Sequence, residues 1–445
     1  MANTLTKRVL KVIGMFSGAE AFGILCSVVK MKLVALWLSA TGVGLFGIFN
    51  STIDTVSIVT GLGLRTSGVR EVAKHNHSKS SLAGICGRLR GWSIFSGMLG
   101  ALVISFLSPA LSLLLFGDMS YWWQFMILAV ALMLNSLIGG EQAILQGTEQ
   151  FRRLAQANMS GSFLGLAISV PMFRWLGTDS VVYSIIAYSL SILFFLYLYR
   201  NRSLPYEPVH VKDLKGDTGF VKLGGYIALA AFATNLAQLV FISWLNRNAS
   251  TTEVGYFQAG NTLVFRYTSI IFTVVGLEFF PRMSANSHSS HRLSVFVSHE
   301  ISLLLKIFTP MLLVFLVCRK WIVQFLYTSD FMVILPFITI AIFTIILRSV
   351  STCMAFTIIS KGEGRTYFFT ESIDAVIGVC LSVWLYSVYG LIGIGIAQVL
   401  WYILYTLMIG CIYSFRYRLR LSGGCILAVS VSAVISGAAI LAFMV

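Results

Sequence analysis

Several cationic side chains lie in stretches of sequence that are apolar enough to cross a lipid bilayer. Arg266 lies near the middle of the apolar segment 261–276, and Arg348 lies within a second such segment. Insertion of one arginine at that depth costs roughly 2.5–3.5 kcal/mol. A charge of this kind needs a compensating partner, so these positions are the first candidates for chemistry.

Three interpretations of Arg266 compete. Its guanidinium could pair with a buried carboxylate, Asp54 or Glu20, and lock two helices together. It could snorkel to an interface. It could instead face a water-filled cavity and bind an anion, and phosphate suits guanidinium because the fixed donors match phosphate oxygens two at a time. We favour the anion site, whose further candidate residues are Arg348, Lys30 and Lys32.

Polar or small residues recur at helical spacing along five of the apolar segments. The stripes are Asn50, Asp54, Ser57, Gly61; Asn135, Gly139, Gln142, Gln146; Thr262, Arg266, Ser269, Thr273; Thr344, Arg348, Ser351, Ala355; and Glu371, Asp374, Gly378, Ser382. Lipid-facing surfaces hold such groups at high cost, so the stripes should face protein or water. Uncharged stripes of this type also occur where helices simply pack closely.

The elements that carry these residues are predicted to be transmembrane helices. Of the 445 residues, 57% are hydrophobic and only 11% are charged, and the mean hydropathy is +0.85. This balance predicts an all-α polytopic membrane protein. The predicted spans are 10–37, 45–64, 91–116, 121–146, 158–177, 180–199, 223–246, 255–280, 301–326, 331–359, 368–388, 391–414 and a final apolar segment, 423–444.

The distribution of lysine and arginine predicts the orientation. The N-terminus and the loops after even-numbered spans hold 23 of these residues, whereas the opposite loops hold four. Basic residues concentrate on the cytoplasmic side of membrane proteins. The N-terminus is therefore predicted to be cytoplasmic.

The chain divides into two predicted lobes of six spans. Residues 1–200 form the first lobe, 201–222 a cytoplasmic linker and 223–414 the second, and 415–445 hold a basic loop and a probable thirteenth helix. A faint repeat relates Val43-Gly44-Leu45-Phe46 to Val254-Gly255-Tyr256-Phe257, and places Glu149 and Glu363 in corresponding loops. Two such repeats of the same orientation are an arrangement that transporters use around a central cavity.

The chain shows few signs of catalytic or cofactor chemistry. Its seven cysteines are scattered singly, which suggests neither a disulfide framework nor a zinc site. The segment Lys361-Gly362-Glu363-Gly364-Arg365-Thr366 lacks Walker A spacing. We therefore expect no enzyme activity, cofactor or metal.

Several motifs, taken in order, resemble those of a known family. They are Gly42-Val43-Gly44-Leu45-Phe46, the segment 61–73 (GLGLRTSGVREVA), Gln146-Gly147-Thr148-Glu149-Gln150-Phe151-Arg152, Glu253-Val254-Gly255-Tyr256-Phe257 and Phe280-Pro281-Arg282-Met283-Ser284. Over residues 5–415 the chain resembles the O-antigen translocases (Wzx type), which are polysaccharide flippases of the multidrug/oligosaccharidyl-lipid/polysaccharide (MOP) superfamily. Its final apolar segment departs from twelve-span members.

The resemblance implies a V-shaped pair of six-helix lobes around a central cavity. It implies movement of undecaprenyl-pyrophosphate-linked oligosaccharide from the cytoplasmic to the periplasmic leaflet of a bacterial inner membrane. The residues carried over on resemblance are Lys32, Arg65, Arg70 and Arg266, to which Asn50 and Asn261 in the repeated motifs are added. The expected partners are the lipid-linked substrate, membrane lipids and polysaccharide polymerase machinery; nucleic acid is not expected, and the chain should function as a monomer.

Two other functions stay open at this point. The first is a multidrug or cation antiporter of the same superfamily, whose cavity should be dominated by carboxylates. The second is a polytopic enzyme acting on a lipid-linked sugar, which the short loops disfavour. If a proton or sodium gradient drives transport, the candidate residues for exchanging the ion are Asp54, Glu20, Glu371 and Asp374.

Overall fold

The computed structural model describes most of the predicted spans. The described residues are 2–61, 68–69, 71–73, 79–200, 221–266, 268–269, 271–272, 279, 283 and 289–444. For residues 2–21, 79–81, 221–225, 227 and 444 it describes the backbone alone.

The chain folds into two compact units, Met1–Phe220 and Val221–Val445. The described residues contain helices and no strands. In the first unit the helices are α1 (Ala2–Gly61), α2 (Lys79–Phe116), α3 (Trp122–Gly147), α4 (Phe151–Leu176) and α5 (Ser180–Tyr199). The predicted linker, 201–222, falls almost wholly outside the described residues, so its assignment stays a prediction.

The second unit is also helical throughout its described part. Its helices are α6 (Val221–Asn248), α7 (Thr251–Asn261), α8 (Ser290–Leu326), α9 (Leu335–Ala341), α10 (Thr344–Ser360), α11 (Gly364–Tyr389), α12 (Leu391–Cys411) and α13 (Gly423–Met444). Helix α7 continues as a π-helical turn, Thr262–Arg266, and α12 continues as another, Ile412–Arg416.

Nine helical segments of the described chain are long and apolar enough to cross a membrane, or ten if one bent pair counts as a single span. Two of the nine combine two predicted spans. The segment Phe22–Gly61 is interrupted at Ser39, which has φ 58° and ψ −166°. The segment Phe151–Tyr199 contains both α4 and α5. The bent pair is Ser329–Ala341 and Thr344–Ser360, with a bend of 49°.

Helices α4 and α11 show the internal repeat at the level of backbone geometry. Each is 26 residues long, and each is followed by a glycine in the left-handed region, Gly177 (φ 59°, ψ −141°) and Gly390 (φ 60°, ψ −141°). Only glycine adopts this conformation without a steric cost. The same helix length and the same terminating turn therefore occur once in each unit.

The turns that precede α4 and α11 also match, so Glu149 and Glu363 lie in corresponding loops as predicted, at positions one residue apart. The N–H of Gln150 donates to the Leu145 carbonyl at 2.8 Å, and the N–H of Glu363 donates to the Ile358 carbonyl at 3.1 Å. Glu149 therefore corresponds to Gly362, and both have positive φ (56° and 76°). Glu363 occupies the position of Gln150.

Small residues let α4 and α5 approach closely. A Cβ added to Gly161 would lie 2.7 Å from the Ile192 Cα, and one added to Gly165 would lie 2.7 Å from Tyr188 Cδ2. Glycines at such contacts are typical of membrane helices, because close backbone approach increases van der Waals contact. This packing holds the Tyr188 side chain at a fixed place in the first unit.

The extra helix α13 lies along α8 for most of its length. At its start, the N–H of Ser422 donates to Ser298 Oγ at 3.0 Å. At its end, Arg319 Nη2 donates to the Phe443 carbonyl at 2.8 Å. Since residues rise in number along both helices between these contacts, α8 and α13 run in the same direction, and the thirteenth predicted helix is confirmed.

Candidate functional site

Arg348 on α10 is the central cation of the second unit. Its Nη2 donates to Ser269 Oγ at 3.1 Å. The guanidinium carbon lies 4.6 Å from the ring centroid of Phe272 and 5.8 Å from that of Phe265. The Nη1 atom is buried and has no hydrogen-bond partner in the described part of the chain. Arg348 is thus held by aromatic rings and one hydroxyl, and one of its donors has no hydrogen bond among the described residues.

Two carboxylates of α11 accept hydrogen bonds from neutral donors of α12. The indole Nε1 of Trp401 donates to Asp374 at 2.6 Å, and the hydroxyl of Tyr405 donates to Glu371 at 2.5 Å. Between these donors along α12, the ring of Tyr402 stacks on Phe265, with centroids 5.8 Å apart. These carboxylates lie one helical turn apart in a region that also contains Arg348.

Arg266 ends the π-helical turn that follows α7. Its side chain is exposed, and no described carboxylate forms an ion pair with it. The interpretation of Arg266 as a helix lock with Asp54 or Glu20 stays a prediction. At the start of the same turn, Asn261 Oδ1 accepts a hydrogen bond from Gln398 Nε2 at 3.5 Å.

Lys30 on α1 is a partly buried cation of the first unit. Its Nζ lies 4.6 Å from the ring centroid of Phe46 and 5.0 Å from that of Tyr188. The Tyr188 hydroxyl shares a hydrogen bond of 2.9 Å with Ser162. Aromatic faces attract a cation through their quadrupole, so this ammonium group is held in place, and no carboxylate among the described residues forms an ion pair with it.

Polar pairs join the helices around this lysine. Asn135 on α3 accepts from Ser189 Oγ at 2.9 Å, and Gln142 Nε2 donates to Asn158 at 3.1 Å. The predicted stripe of α3 therefore hydrogen-bonds to α4 and α5, as expected for a polar contact between membrane helices.

The other predicted site residues have varied surroundings. Asn50 and Asp54 are exposed on α1, and Asn50 Nδ2 donates to the Phe46 carbonyl of its own helix at 2.8 Å. Lys32 is partly buried. Arg65 and Arg70 lie outside the described residues, as does the side chain of Glu20.

The predicted stripes of α10 and α11 are largely buried. The fully buried members are Thr344, Ser351, Ala355, Asp374, Gly378 and Ser382. By contrast, the α1 stripe has Asn50 and Asp54 exposed. The burial of the α10 and α11 stripes agrees with the expectation that such stripes avoid lipid, and for the α1 stripe this stays a prediction.

The sequence did not lead us to predict the residues that contact the charged and polar groups of the site. Gln398, Trp401 and Tyr405 follow one another at i, i+3 and i+7 on α12, so their helical spacing was a signal that could have identified them. Tyr188 gave no such signal, because its role depends on the packing of α4 against α5.

In chemical terms, the first unit holds Lys30 against aromatic rings. The second unit holds Arg348 against aromatic rings and holds Glu371 and Asp374 by neutral donors. No group of three or more His, Cys, Asp or Glu side chains in this part of the chain could hold a metal ion. Arg348, Arg266 and Lys30 can attract an anion, and guanidinium can do so with paired hydrogen bonds.

Comparison of the sequence with protein families gives one match. The profile of the family described as polysaccharide biosynthesis protein matches residues 33–336. No curated protein matches the sequence.

Comparison of the structure gives matches across nearly the whole chain. An inward-facing multidrug resistance MATE family transporter of the MOP superfamily has a TM-score of 0.72 at 14% identity, covering 89% of this chain and 94% of that one. The lipid II flippase MurJ in an inward closed conformation has a TM-score of 0.69 at 13% identity, covering 96% and 97%.

A third similar structure is a MOP superfamily transporter from Pyrococcus furiosus Vc1, described as having a binding pocket of reverse polarity that suggests a different function. Its TM-score is 0.61 at 13% identity, and the match covers 92% of this chain and 96% of that one. The expected MOP fold is confirmed by these similarities.

Proposed function

Since the chain belongs to the polysaccharide biosynthesis protein family and has the fold of MOP superfamily transporters, we propose that it is a flippase for lipid-linked oligosaccharide. Its substrate is an undecaprenyl-pyrophosphate-linked repeat unit of O-antigen or a similar surface polysaccharide. It moves this unit from the cytoplasmic to the periplasmic leaflet of a bacterial inner membrane by alternating access. The N-terminus is cytoplasmic. The chain acts as a monomer, and the translocated repeat unit passes to polysaccharide polymerase machinery.

The observation that carries this proposal is the exposed guanidinium of Arg266 within an apolar segment, without an ion pair among the described residues. Lipid is a costly environment for a free guanidinium, so water or a ligand must solvate it. A pyrophosphate has a similar cost with the opposite charge, because the free energy of moving its negative charge through hydrocarbon without a compensating cation is prohibitive. A cation exposed to water at this depth lowers that barrier while the lipid tail stays in the bilayer.

Arg348 and Lys30 support the same proposal. Both are held by aromatic rings, at 4.6 Å from Phe272 and from Phe46 respectively. Neither has a described carboxylate as a salt-bridge partner. Their charge is therefore available to attract an anionic headgroup, as expected for an anion-binding site.

Glu371 and Asp374 are the carboxylates that would bind and release a coupling ion. Each carboxylate accepts a hydrogen bond from a neutral donor, Tyr405 or Trp401. A carboxylate without a fixed cationic partner can exchange a proton or sodium ion at lower cost than one held in an ion pair. We include these two residues, with Asp54 and Glu20, as the ion-coupling group.

An antiporter of cationic drugs is the alternative function. It is favoured by the fold similarity to a MATE family transporter and by the buried carboxylate Asp374. The polarity of the binding pocket separates the two functions, and the Pyrococcus furiosus protein shows that pocket polarity varies within the superfamily. The cations Arg266, Arg348 and Lys30 favour an anionic substrate here.

The deciding experiment measures translocation of fluorescent undecaprenyl-pyrophosphate oligosaccharide in proteoliposomes. It compares the wild type with Arg266→Ala and Arg266→Lys at matched reconstitution. The control is Arg247→Ala, which removes an exposed arginine from the last turn of α6. We expect a loss of at least about tenfold in Arg266→Ala, corresponding to about 1.4 kcal/mol of barrier, with partial retention in Arg266→Lys.

Two results would contradict the proposal. The first is full transport in both Arg266 variants. The second is export of a cationic dye by the wild type in the same vesicles without movement of the lipid-linked sugar, which would establish the antiporter instead.

A further inference from the structure

A groove at the start of α11 combines arginines with apolar side chains, and the proposed transport function does not use it. It encloses about 420 Å³ and is lined by Arg365, Thr366, Phe369, Thr370, Ile373 and Arg416. Arg365 and Thr366 belong to the first turn of α11, and Arg416 ends the π-helical turn after α12. All of these residues lie within the second unit.

The two arginines have donors available at this groove. Arg416 uses Nη2 in a 2.7 Å ion pair with Glu363, and its side chain is 56% exposed. A guanidinium has five N–H donors, so this contact leaves most of them free. Arg365 is exposed and lies 5.7 Å from the ring centroid of Phe369. Lys361 and Arg365 lie within two residues of Glu363 in sequence, so this stretch and Arg416 together hold three cations and one carboxylate.

The apolar wall of the groove continues along one face of α11. Phe369 and Ile373 are each 50% exposed, and the same helical face continues to Val376 and Trp384, each 62% exposed. The opposite face holds Asp374, Gly378 and Ser382, which are buried. In a membrane-spanning helix an exposed apolar face of this kind contacts lipid chains.

We propose that this groove binds an anionic phospholipid of the cytoplasmic leaflet, such as phosphatidylglycerol. The phosphodiester lies between Arg365 and Arg416, and one acyl chain runs along Phe369, Ile373 and Val376. The basic loops place this end of α11 on the predicted cytoplasmic side, where anionic headgroups meet basic pockets between helices. Arginine matches a phosphate with paired donors, while the apolar strip explains why the ligand is a lipid and not free phosphate.

The first unit offers a matched control for this site. Arg152 is exposed in the first turn of α4, the helix that corresponds to α11 by its length and its terminal glycine. Arg152→Gln therefore removes the same charge from the corresponding helical turn, outside the groove. Arg365→Gln removes no ion pair, so its effect is separable from loss of folding, which thermal unfolding of each variant checks directly.

The test is native mass spectrometry of the purified full chain, titrated with dioleoylphosphatidylglycerol and, separately, with dioleoylphosphatidylcholine. A basic residue near an anionic lipid contributes about a fivefold change in affinity. We therefore expect the first phosphatidylglycerol to bind about fivefold more weakly to Arg365→Gln and more weakly still to Arg365→Gln/Arg416→Gln. Arg152→Gln should bind it as the wild type does, Arg365→Lys should recover part of the affinity, and phosphatidylcholine binding should not change.

The proposal is overturned if the double variant retains wild-type affinity, or if Arg152→Gln loses as much as Arg365→Gln. It is also overturned if undecaprenyl pyrophosphate displaces phosphatidylglycerol and responds to the same substitutions, since the groove would then hold substrate. Displacement by inorganic pyrophosphate alone would equally refute a lipid site. Because no transport is measured, these outcomes are independent of those for Arg266.

Discussion

At the scale of single residues, charged groups are held in different ways. Buried Arg90 forms a 2.6 Å ion pair with Glu141, but other charged groups of the helices are held without an opposite charge. Arg348 and Lys30 lie against aromatic rings, whereas Glu371 and Asp374 accept hydrogen bonds from Tyr405 and Trp401. A ring or a neutral donor fixes the position of a charge without cancelling it. The charges thus stay available for a substrate or a coupling ion.

The first prediction at this scale concerns the two carboxylates of α11. In Glu371→Gln/Asp374→Asn, exchange of lipid-linked substrate should continue, but acceleration by an imposed proton or sodium gradient should be lost, because no carboxylate is left to carry the ion. Transport in proteoliposomes with and without a gradient measures this difference.

Glu253→Gln, a change in the first turn of α7, serves as the control for these carboxylates. Retention of full gradient dependence in the double variant would contradict the prediction for this pair. If dependence also survived neutralisation of Asp54 and Glu20, all four carboxylates would be structural.

At the scale of elements, irregular turns and helix ends position the charged side chains. The π-helical turn after α7 ends at Arg266, and the one after α12 ends at Arg416. A π turn inserts one residue relative to α-helical spacing and so changes the direction of the residues that follow. Two of the arginines proposed to bind ligands, Arg266 and Arg416, therefore end such turns.

The attachment of α13 to α8 gives the prediction at the element scale. Arg319 donates to the Phe443 carbonyl at 2.8 Å and lies 4.9 Å from the Phe443 ring centroid. Arg319→Ala should lower the free energy of unfolding by about 1 kcal/mol, because the last turn of α13 loses a charged hydrogen-bond donor. Thermal unfolding in detergent measures the change. The control is Lys320→Ala, an exposed neighbour, and equal stability of the two variants would contradict the assigned contact.

At the scale of the whole molecule, helix direction determines which loops share a side of the membrane. Helix α13 runs in the direction of α8, so its end lies on the side reached by the end of α8. For the cytoplasmic N-terminus that we propose, the end of α13 would lie in the periplasm. The structure thereby gives the thirteenth helix a direction that hydropathy leaves open.

A cysteine-accessibility experiment tests this topology. In a chain whose seven native cysteines are replaced, a membrane-impermeant maleimide applied to intact spheroplasts should label Asp118→Cys, in the loop between α2 and α3, and Ala442→Cys, near the end of α13. It should label His291→Cys, at the start of α8, only after permeabilisation. Labelling of His291→Cys in intact spheroplasts would reverse the predicted orientation.

Hydropathy correctly predicted the membrane class and most of the apolar segments, whereas the orientation that charge spacing indicates stays a prediction. These properties are local, since burial in lipid depends on the residues of one segment and basic residues act loop by loop. The polar stripe Asp374, Gly378 and Ser382 was also correctly predicted to avoid lipid, because helical periodicity alone places these residues on one face. The family resemblance refined the prediction from an all-α membrane protein to the MOP fold.

Only the tertiary structure decided which groups meet. Lys30 contacts Tyr188 because α4 and α5 pack closely at glycines, and Asp374 meets Trp401 because α11 and α12 lie side by side. The one-residue shift that pairs Glu149 with Gly362 likewise required backbone geometry. Contacts between segments far apart in sequence depend on the packing of the whole unit, and no spacing within a single helix specifies them.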